Sequence, residues 1–429
     1  MASVVFVFLQ AGMFLIVSKH IGVLQLGYYF FSSALIGIAL TIVGSSFTYS
    51  LIHRDSITAQ DYQAVLTLNT LLASGLFTIV IIIGFAGIVF NVHEEIAYIC
   101  LCLAPLLFFE AYVSVEITGL KRELLFKKVA LIEILSSIDY ILTVLLFLWL
   151  GFDYWSLVLG LLVKYFSSFV FIKILSPGYF RVKFVKISET QDHWDYGKFI
   201  LGERLLSTLL GSADVLIIGT VLGYANLGVY DVLKRIVLRP VLIIYNGIEN
   251  VIFPLLSKAK SEKFLFNKVY SAHNFISKYI FIAFFILVYI NSKTILTFFP
   301  EAYNGFLSEF QFLCIFGAVI IILNPIDILL YSLGRTKEFL YWIMAYFLPL
   351  FIISFWAATF GLKELLGASI IFYLILYVIS YGLLIKDTII GFKNYFESLN
   401  FSIMLFGSVI LITSYLDVYN LPMQMLEIF

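Results

Sequence analysis

Long apolar segments dominate this sequence, and they constrain its fold more than any other feature. A helix needs about 20 apolar residues to cross the hydrocarbon core of a bilayer, where only helices and closed barrels satisfy every backbone polar group. Hydrophobic residues make up 62% of the 429 residues, and charged residues only 13%. The apolar runs lack the alternation of barrel strands, so we predict an all-α integral membrane protein with about 12 to 14 transmembrane helices. The thirteen predicted spans are 2–18, 27–50, 64–90, 96–119, 129–150, 155–175, 198–222, 227–254, 276–299, 306–333, 338–360, 362–385 and 399–416.

The basic residues determine the expected orientation of these spans. With a cytoplasmic N-terminus, nineteen of the 27 Lys and Arg residues fall in cytoplasmic connections, and only Lys19, Lys293 and Lys363 fall on the opposite side. Cytoplasmic connections of membrane proteins are enriched in Lys and Arg, so we expect this orientation. Basic and acidic residues are equal in number, 27 each, which argues against nucleic acid as a partner.

The longest connection divides the predicted spans into two groups. It is polar and basic, and it falls between the sixth and seventh spans. Two lobes around a central cavity are common among secondary transporters. We therefore predict an N-terminal six-helix lobe at 1–175, a cytoplasmic linker at 176–197, a C-terminal six-helix lobe at 198–386, and an additional helix and tail at 387–429.

Two successive predicted spans carry polar faces through the bilayer. The polar positions of the seventh span recur at spacings of 4, 4 and 3, which is one face of a helix: Glu203, Ser207, Gly211 and Asp214. The corresponding positions of the eighth span are Asp231, Arg235, Arg239, Asn246, and Glu249 or Asn250. Arg204 and Lys234 lie next to these faces. Since charge at membrane depth faces a hydrated cavity or a charged partner, the cations either border a cavity for an anionic substrate or form structural ion pairs with acids such as Asp214. Pro240 is a candidate hinge.

Acidic residues elsewhere in the spans are candidates for binding a coupling cation. Glu110 and Glu133 belong to the fourth and fifth spans, and Asp327 follows Asn324 and Pro325 in the tenth. Carboxyl groups inside membrane spans also contribute to packing between helices, so each of these acids has a structural role as its alternative. A coupling cation, H⁺ or Na⁺, is the sole cofactor that the sequence suggests.

Motifs of nucleotide-driven or catalytic proteins are missing from the sequence. It contains no G-x-x-x-x-G-K-[ST] loop, no H-E-x-x-H and no G-x-S-x-G. The three cysteines, Cys100, Cys102 and Cys314, lie in apolar runs and have no metal-ligand spacing. We therefore expect neither an ATP-driven motor nor an enzyme, and no metal site.

Three stretches of the sequence resemble one family of membrane proteins. Lys19–Thr58 contains a Leu-Gly turn, a Gly-aromatic pair and a span that ends near Arg54; Asp214–Arg235 contains Asp-x-x-x-Ile-Gly, then Leu-Gly and Gly-x-Tyr; and Phe298–Gly317 is followed by Leu333, Gly334 and Arg335. These features resemble the oligosaccharide-repeat-unit (Wzx-type) flippases of the multidrug, oligosaccharidyl-lipid and polysaccharide exporter superfamily. The chain departs from the family pattern at Val23, where a proline is common, and in its thirteen predicted spans.

The resemblance implies a fold like that of multidrug exporters of the MATE type and the flippase MurJ. It further implies that the protein moves undecaprenyl-pyrophosphate-linked oligosaccharides across the bacterial inner membrane by alternating access, alongside a polysaccharide polymerase and a chain-length regulator. The resemblance itself carries over only Asp214 and Arg235. From the charges inside the spans, the expected substrate residues are Arg204, Lys234, Arg235, Arg239 and Asn246. The acids expected to pair with them or to bind the coupling ion are Glu203, Asp214, Asp231, Glu110, Glu133 and Asp327.

Two other functions stay open from the sequence. A cation-coupled multidrug exporter would favour an acidic cavity, which the basic face of the eighth span disfavours. A membrane-embedded polymerase or glycosyltransferase usually has a sizeable extracytoplasmic loop. The predicted spans leave no connection of that size on the extracytoplasmic side.

Overall fold

A computed structural model describes residues 2–54, 56–260, 262–275, 279–323 and 325–386, and within these ranges the protein is helical without a β-strand. This architecture confirms the predicted all-α fold. The helices are α1 (Ala2–His20), α2 (Val23–Ser45), α3 (Thr48–His53), α4 (Ala59–Val89), α5 (Glu94–Leu103), α6 (Leu106–Arg122), α7 (Phe126–Trp149), α8 (Trp155–Leu175), α9 (Gln191–Ile217), α10 (Tyr224–Ala259), α11 (Lys263–Phe275), α12 (Phe281–Ile290), α13 (Ser292–Leu296), α14 (Leu307–Leu323), α15 (Pro325–Ser332), α16 (Thr336–Ala358) and α17 (Leu362–Ser380).

The described part of the chain contains ten helical segments that are long and apolar enough to cross a bilayer. Several of them join two helices, as at Val23–Ile52 and Glu94–Arg122. The protein is therefore a multi-pass membrane protein. The predicted thirteenth span, 399–416, lies outside the described residues.

Helix breaks within the spans have local causes. Pro105 follows the end of α5 and cannot donate a backbone hydrogen bond, and α6 begins directly after it. Pro325 is the first residue of α15, the helical position where a missing N–H is tolerated. By contrast, α10 runs through both Pro240 and Pro254.

One helix falls where the sequence suggested only a connection. Helix α11 occupies Lys263–Phe275, a segment that its lysines marked as a cytoplasmic loop. Phe266, Tyr270 and His273 are buried on it at spacings of four and three residues. The amphipathic spacing of these residues is typical of a helix, although the lysines of the segment are typical of a connection.

The chain divides into two compact units, Met1–Val232 and a second that begins at Leu233, so the boundary falls inside α10. In the first unit α2 packs against α4, α5, α6 and α9, and α7 packs along α8. In the second unit α14 packs against α12 and α17, and α16 packs against α17. The lobe boundaries given by the sequence stay a prediction.

Two glycines permit a close approach between α2 and the start of α10 in the first unit. A Cβ at Gly27 would overlap the carbonyl oxygen of Tyr224, and a Cβ at Gly228 would overlap the carbonyl oxygen of Val23. Because backbone atoms cannot move aside as a flexible side chain does, each position requires glycine. The Leu26–Gly27 pair and the Gly-x-Tyr motif at Gly228–Tyr230 thus form one contact between helices.

Candidate functional site

Arg204 is held on α9 by an aromatic residue of α3. Its Nη2 donates a 2.7 Å hydrogen bond to the hydroxyl of Tyr49, and its guanidinium carbon lies 5.3 Å from the centre of that ring. Its Nε is 3.4 Å from Oε2 of Glu203, and the Arg204 side chain remains 36% exposed. Ser207 donates to Glu203 over 2.8 Å, as the four-residue spacing predicts. The guanidinium is thus fixed in place and still accessible.

Asp214 joins the end of α9 to the start of α10. Its Oδ2 accepts a 2.6 Å hydrogen bond from the hydroxyl of Tyr230, which is buried, and its Oδ1 accepts one of 2.9 Å from the backbone N–H of Val215. The sequence suggested arginine partners for this carboxylate and did not identify Tyr230. Asp214 and Tyr230 belong to the same compact unit.

The polar residues of α10 differ in exposure. Asp231 is buried in the first unit, at 2% exposure. Lys234 and Arg235 are half-buried, whereas Arg239 and Asn246 are exposed. These last four belong to the second unit. That they border one hydrated cavity together with α9 stays a prediction.

Glu110 is tightly enclosed in the first unit. Its carboxylate lies against Gly44 of α2, where a Cβ would overlap Oε1. The positive charges that act on this carboxylate come from Lys164 and Lys121. Glu133, by contrast, is exposed on α7, although Ser137 and Tyr140 on the neighbouring turns are buried. The two acids therefore occupy very different environments.

Another acid of α6 anchors the connection after α8. Glu116 is buried and accepts hydrogen bonds from Tyr112, at 3.0 Å, and from Ser176, at 2.6 Å. The hydroxyl of Tyr179 donates to Glu123 over 2.9 Å. Burial raises the pKa of Tyr179, and the neighbouring Glu123 carboxylate raises that pKa further. These contacts are structural.

A buried polar network links α3, α4 and α9 near the start of α9. Nδ1 of His193 is 2.7 Å from Oγ of Ser50, and its Nε2 is 3.2 Å from Oδ1 of Asp61. Arg54 bridges Asp61 and Asp192 with ion pairs of 2.7 and 2.9 Å. No sequence pattern indicates His193, because its partners are more than 130 positions away.

Asp327 lines a cavity of about 210 Å³ in the second unit. Trp342, Tyr346 and Tyr373 are among the other lining residues. Oδ1 of Asp327 accepts a 3.1 Å hydrogen bond from the backbone N–H of Ile328. The cavity that Asp327 lines is thus large enough for water molecules.

The acid Glu249 of α10 acts electrostatically on Asp327. Tyr245 is hydrogen-bonded to Glu249 and lies 3.1 Å from Nε2 of the buried His273. Sequence reasoning placed Glu249 on the polar face of the eighth span but did not connect it to Asp327. Carboxyl groups that act on each other at membrane depth are candidates for binding a proton or a cation, and this role of Asp327 stays a prediction.

The described residues contain no group of three or more His, Cys, Asp or Glu side chains arranged to hold a metal ion. What the structure offers instead is guanidinium groups and carboxyl groups within apolar spans. Such side chains mark the paths of solutes and ions through membrane proteins. The fold and these residues define the class as a multi-pass, all-α membrane protein with charged side chains inside its spans.

Residues 16–307 match the family described as "Polysaccharide biosynthesis protein", and the chain belongs to this family. A region of 318 residues, 71% of the chain, is 24% identical to the teichuronic acid biosynthesis protein TuaB of Bacillus subtilis (strain 168). The match covers 63% of TuaB, so the chain spans less than two thirds of that relative.

Solved structures with the same fold are transporters and a flippase. The lipid II flippase MurJ, in an inward closed conformation, superposes with a TM-score of 0.73 at 15% identity, over 94% of this chain and 90% of MurJ. An inward-facing MATE family multidrug transporter of the MOP superfamily gives 0.67 at 14% identity, over 89% of this chain and 93% of the transporter. The predicted similarity to MATE and MurJ folds is confirmed.

Proposed function

We propose that this protein is a flippase that moves undecaprenyl-pyrophosphate-linked oligosaccharide units from the cytoplasmic to the periplasmic face of the bacterial inner membrane by alternating access. The units would serve the synthesis of a surface polysaccharide such as O-antigen, capsule or exopolysaccharide. Family membership, the similarity to TuaB and the MurJ-like fold support this function over a multidrug exporter or an enzyme.

The observation that carries the proposal is the set of arginines within the spans of α9 and α10. Arg204 lies six residues, about 9 Å along the helix axis, inside the predicted span that begins at residue 198. Arg235 and Arg239 follow on α10. A guanidinium binds a phosphate through two parallel hydrogen bonds, so these side chains suit a pyrophosphate. Lys234 adds charge, and Asn246 offers an amide for a sugar hydroxyl.

Ion coupling is the second part of the proposal. Asp327 with Glu249, and separately Glu110, would take up H⁺ or Na⁺. Glu203 would orient Arg204, and Asp214 and Asp231 would be further acids for ion pairing or ion binding. Glu133 is the weakest member of this group because it is exposed. An ion gradient would then supply the driving force that the sequence does not supply through a nucleotide-binding loop.

The proposal includes an orientation in the membrane and the proteins that use the flipped lipid. The positive-inside distribution of Lys and Arg supports a cytoplasmic N-terminus. A polymerase and a chain-length regulator would use the flipped lipid on the opposite face.

A translocation assay in proteoliposomes tests the function. The substrate is a fluorescent undecaprenyl-pyrophosphate-linked oligosaccharide, and external dithionite reports how much of it has crossed the bilayer. We expect protein-dependent translocation that falls at least tenfold when Arg235 and Arg239 are both changed to Ala. The matched control is Arg181→Ala in the exposed connection after α8, which should transport normally.

The assay also separates the alternatives. Efflux of cationic dyes without translocation of the lipid-linked oligosaccharide would contradict the flippase and support a multidrug exporter. Lengthening of the glycan in the presence of the protein would support a polymerase.

A further inference from the structure

An apolar pocket of about 660 Å³ opens in the first unit. Helices α2, α4 and α5 form its walls, and the segment between α9 and α10 closes one end. The lining positions of α4 run from Leu76 to Gly87, and those of α2 from Phe31 to Ile42. Each wall is therefore about 16 Å long at 1.5 Å per residue. The pocket is elongated, and it extends through about half of a hydrocarbon core of about 30 Å.

The chemistry of this pocket excludes the sugar and pyrophosphate parts of the proposed substrate. Every side chain that α2 and α4 contribute to the lining is apolar, and the described lining residues include no Asp, Glu, Lys or Arg. A saccharide buried there would lose its hydrogen bonds to water at a cost of several kcal/mol. An apolar chain would instead gain about 25 cal/mol for each Å² that it buries.

Polar groups gather at one end of the pocket. His93, Thr220 and Tyr224 lie there, close to the turns that join α4 to α5 and α9 to α10. The ring of His93 packs edge-on against that of Tyr224, with centroids 5.5 Å apart. A lipid bound in the pocket would therefore place its tail along α2 and α4 and its headgroup at these turns.

The width of the pocket favours a branched chain. A volume of about 660 Å³ over walls about 16 Å long corresponds to a cross-section of roughly 40 Å², broader than a linear acyl chain needs. The small side chains of Ala39 on α2 and Ala97 on α5 leave room in this pocket. The methyl branches of an isoprenoid fill such a space, whereas a linear chain leaves voids that forfeit dispersion contacts.

We propose that this pocket binds the polyprenyl tail of the lipid-linked saccharide in the leaflet that receives it. The proposal rests on the proposed function for the identity of the lipid and on the predicted orientation for the leaflet. The turns at the polar end lie on the face opposite the lysine-rich connections, which is the periplasmic face in that orientation. The pocket retains the carrier lipid after its headgroup has crossed.

Photolabelling tests the occupant directly. The purified full-length protein is placed in vesicles of phosphatidylethanolamine and phosphatidylglycerol with undecaprenyl phosphate that bears a diazirine on its tail. We expect the labelled peptides to contain the pocket residues of α2, α4 and α5, and unlabelled undecaprenyl phosphate to compete. A phosphatidylglycerol probe with a diazirine on its acyl chain is the second arm. Equal labelling of the pocket by that probe would overturn the choice of a polyprenyl chain.

Substitutions that fill the pocket provide the specificity test. Ala39→Phe and Ala97→Phe introduce rings at buried walls, and Ile83→Trp narrows the pocket at a side chain that is 65% exposed and so threatens folding least. We expect each to lower pocket labelling about tenfold, a loss of about 1.4 kcal/mol in binding. The control is Ala130→Phe at an exposed position of α7 outside the pocket, which should label as the unchanged protein does. Labelling unaffected by Ile83→Trp would overturn the proposal.

The photolabelling and translocation experiments test the two proposals independently. Oligosaccharide translocation without polyprenyl labelling of the pocket would overturn this inference and leave the flippase function in place. Competed labelling in a protein that does not translocate would contradict the flippase function while the polyprenyl site stands.

Discussion

The hydroxyl of Tyr230 donates a 2.6 Å hydrogen bond to Oδ2 of Asp214, and this bond ties α9 to the second turn of α10. Both residues belong to the stretch that resembles the Wzx-type flippases, where they form the Asp and Gly-x-Tyr elements of the motif. The bond lies beside the Gly27 and Gly228 contacts, through which α2 packs closely against the start of α10. The motif therefore encodes how α2, α9 and α10 pack against one another.

Removal of the Tyr230 hydroxyl should destabilise this junction. Tyr230→Phe preserves the ring but takes a charge-assisted hydrogen bond from Asp214, at a cost of about 1.5 to 3 kcal/mol. We expect a lower melting temperature for the detergent-purified protein. Tyr341→Phe, which changes a side chain that is 68% exposed, is the matched control and should melt as the unchanged protein does. Equal melting temperatures for both variants would show that the Asp214 contact adds nothing to stability.

Substitution by alanine at two glycines of α2 should change the stability of the protein in opposite directions. Gly27→Ala places a methyl group against the backbone carbonyl of Tyr224, and overpacking of this kind costs about 1 to 3 kcal/mol. Gly37→Ala on the same helix meets no atom within 4 Å and should stabilise α2 by about 0.5 to 1 kcal/mol. The thermal stability of the two variants, measured side by side in one detergent, checks the difference. A stabilised Gly27→Ala variant would contradict the close approach of α2 and α10.

Much of the fold could be predicted from the sequence because a bilayer imposes a simple rule on composition and length. Predicted spans such as 129–150 and 155–175 correspond to α7 and α8 with shifts of at most three residues at either end. Helix α11 was missed because its lysines satisfy the rule for a connection while its buried face follows helical spacing. In this segment the lysines indicate a connection, whereas the spacing of the buried residues indicates a helix.

The candidate site was less accessible to sequence reasoning, since helical spacing finds neighbours on one helix and not partners on another. The Glu203 and Ser207 pair was found from its four-residue spacing. Tyr49, the partner of Arg204, lies 155 positions away, and His193 is 143 positions from Ser50. Such contacts depend on how the helices pack, which composition and periodicity do not specify.

Arg204 should contribute to transport more than to stability. Arg204→Ala removes an accessible guanidinium from α9, and we expect translocation of the lipid-linked oligosaccharide to fall about tenfold, equivalent to about 1.4 kcal/mol of substrate binding. Arg204→Lys keeps the charge but not the planar fork, so it should restore only part of the activity. Lys198→Ala, on the same helix and in an exposed ion pair with Asp195, is the control and should transport normally. Full activity of Arg204→Ala in a folded protein would remove Arg204 from the substrate path.

Asp327 and Glu133 provide a paired test of ion coupling, because the same role is predicted for both from the sequence and their surroundings in the structure differ. Asp327 lines a cavity and is affected electrostatically by Glu249, whereas Glu133 is exposed on α7. A proton or cation that relieves the repulsion between two carboxyl groups has no comparable effect on an isolated one. We therefore expect Asp327→Asn to uncouple translocation from an imposed ion gradient.

The measurement compares translocation rates in proteoliposomes with and without a pH or Na⁺ gradient. The unchanged protein and Glu133→Gln should respond to one of the two gradients by the same factor, and Asp327→Asn should keep only the rate found without a gradient. Because Asn has nearly the shape of Asp, the variant should bind the lipid-linked substrate as before, and this separates a coupling defect from misfolding. A gradient response that persists in Asp327→Asn and disappears in Glu133→Gln would reverse the assignment and move the coupling site to α7.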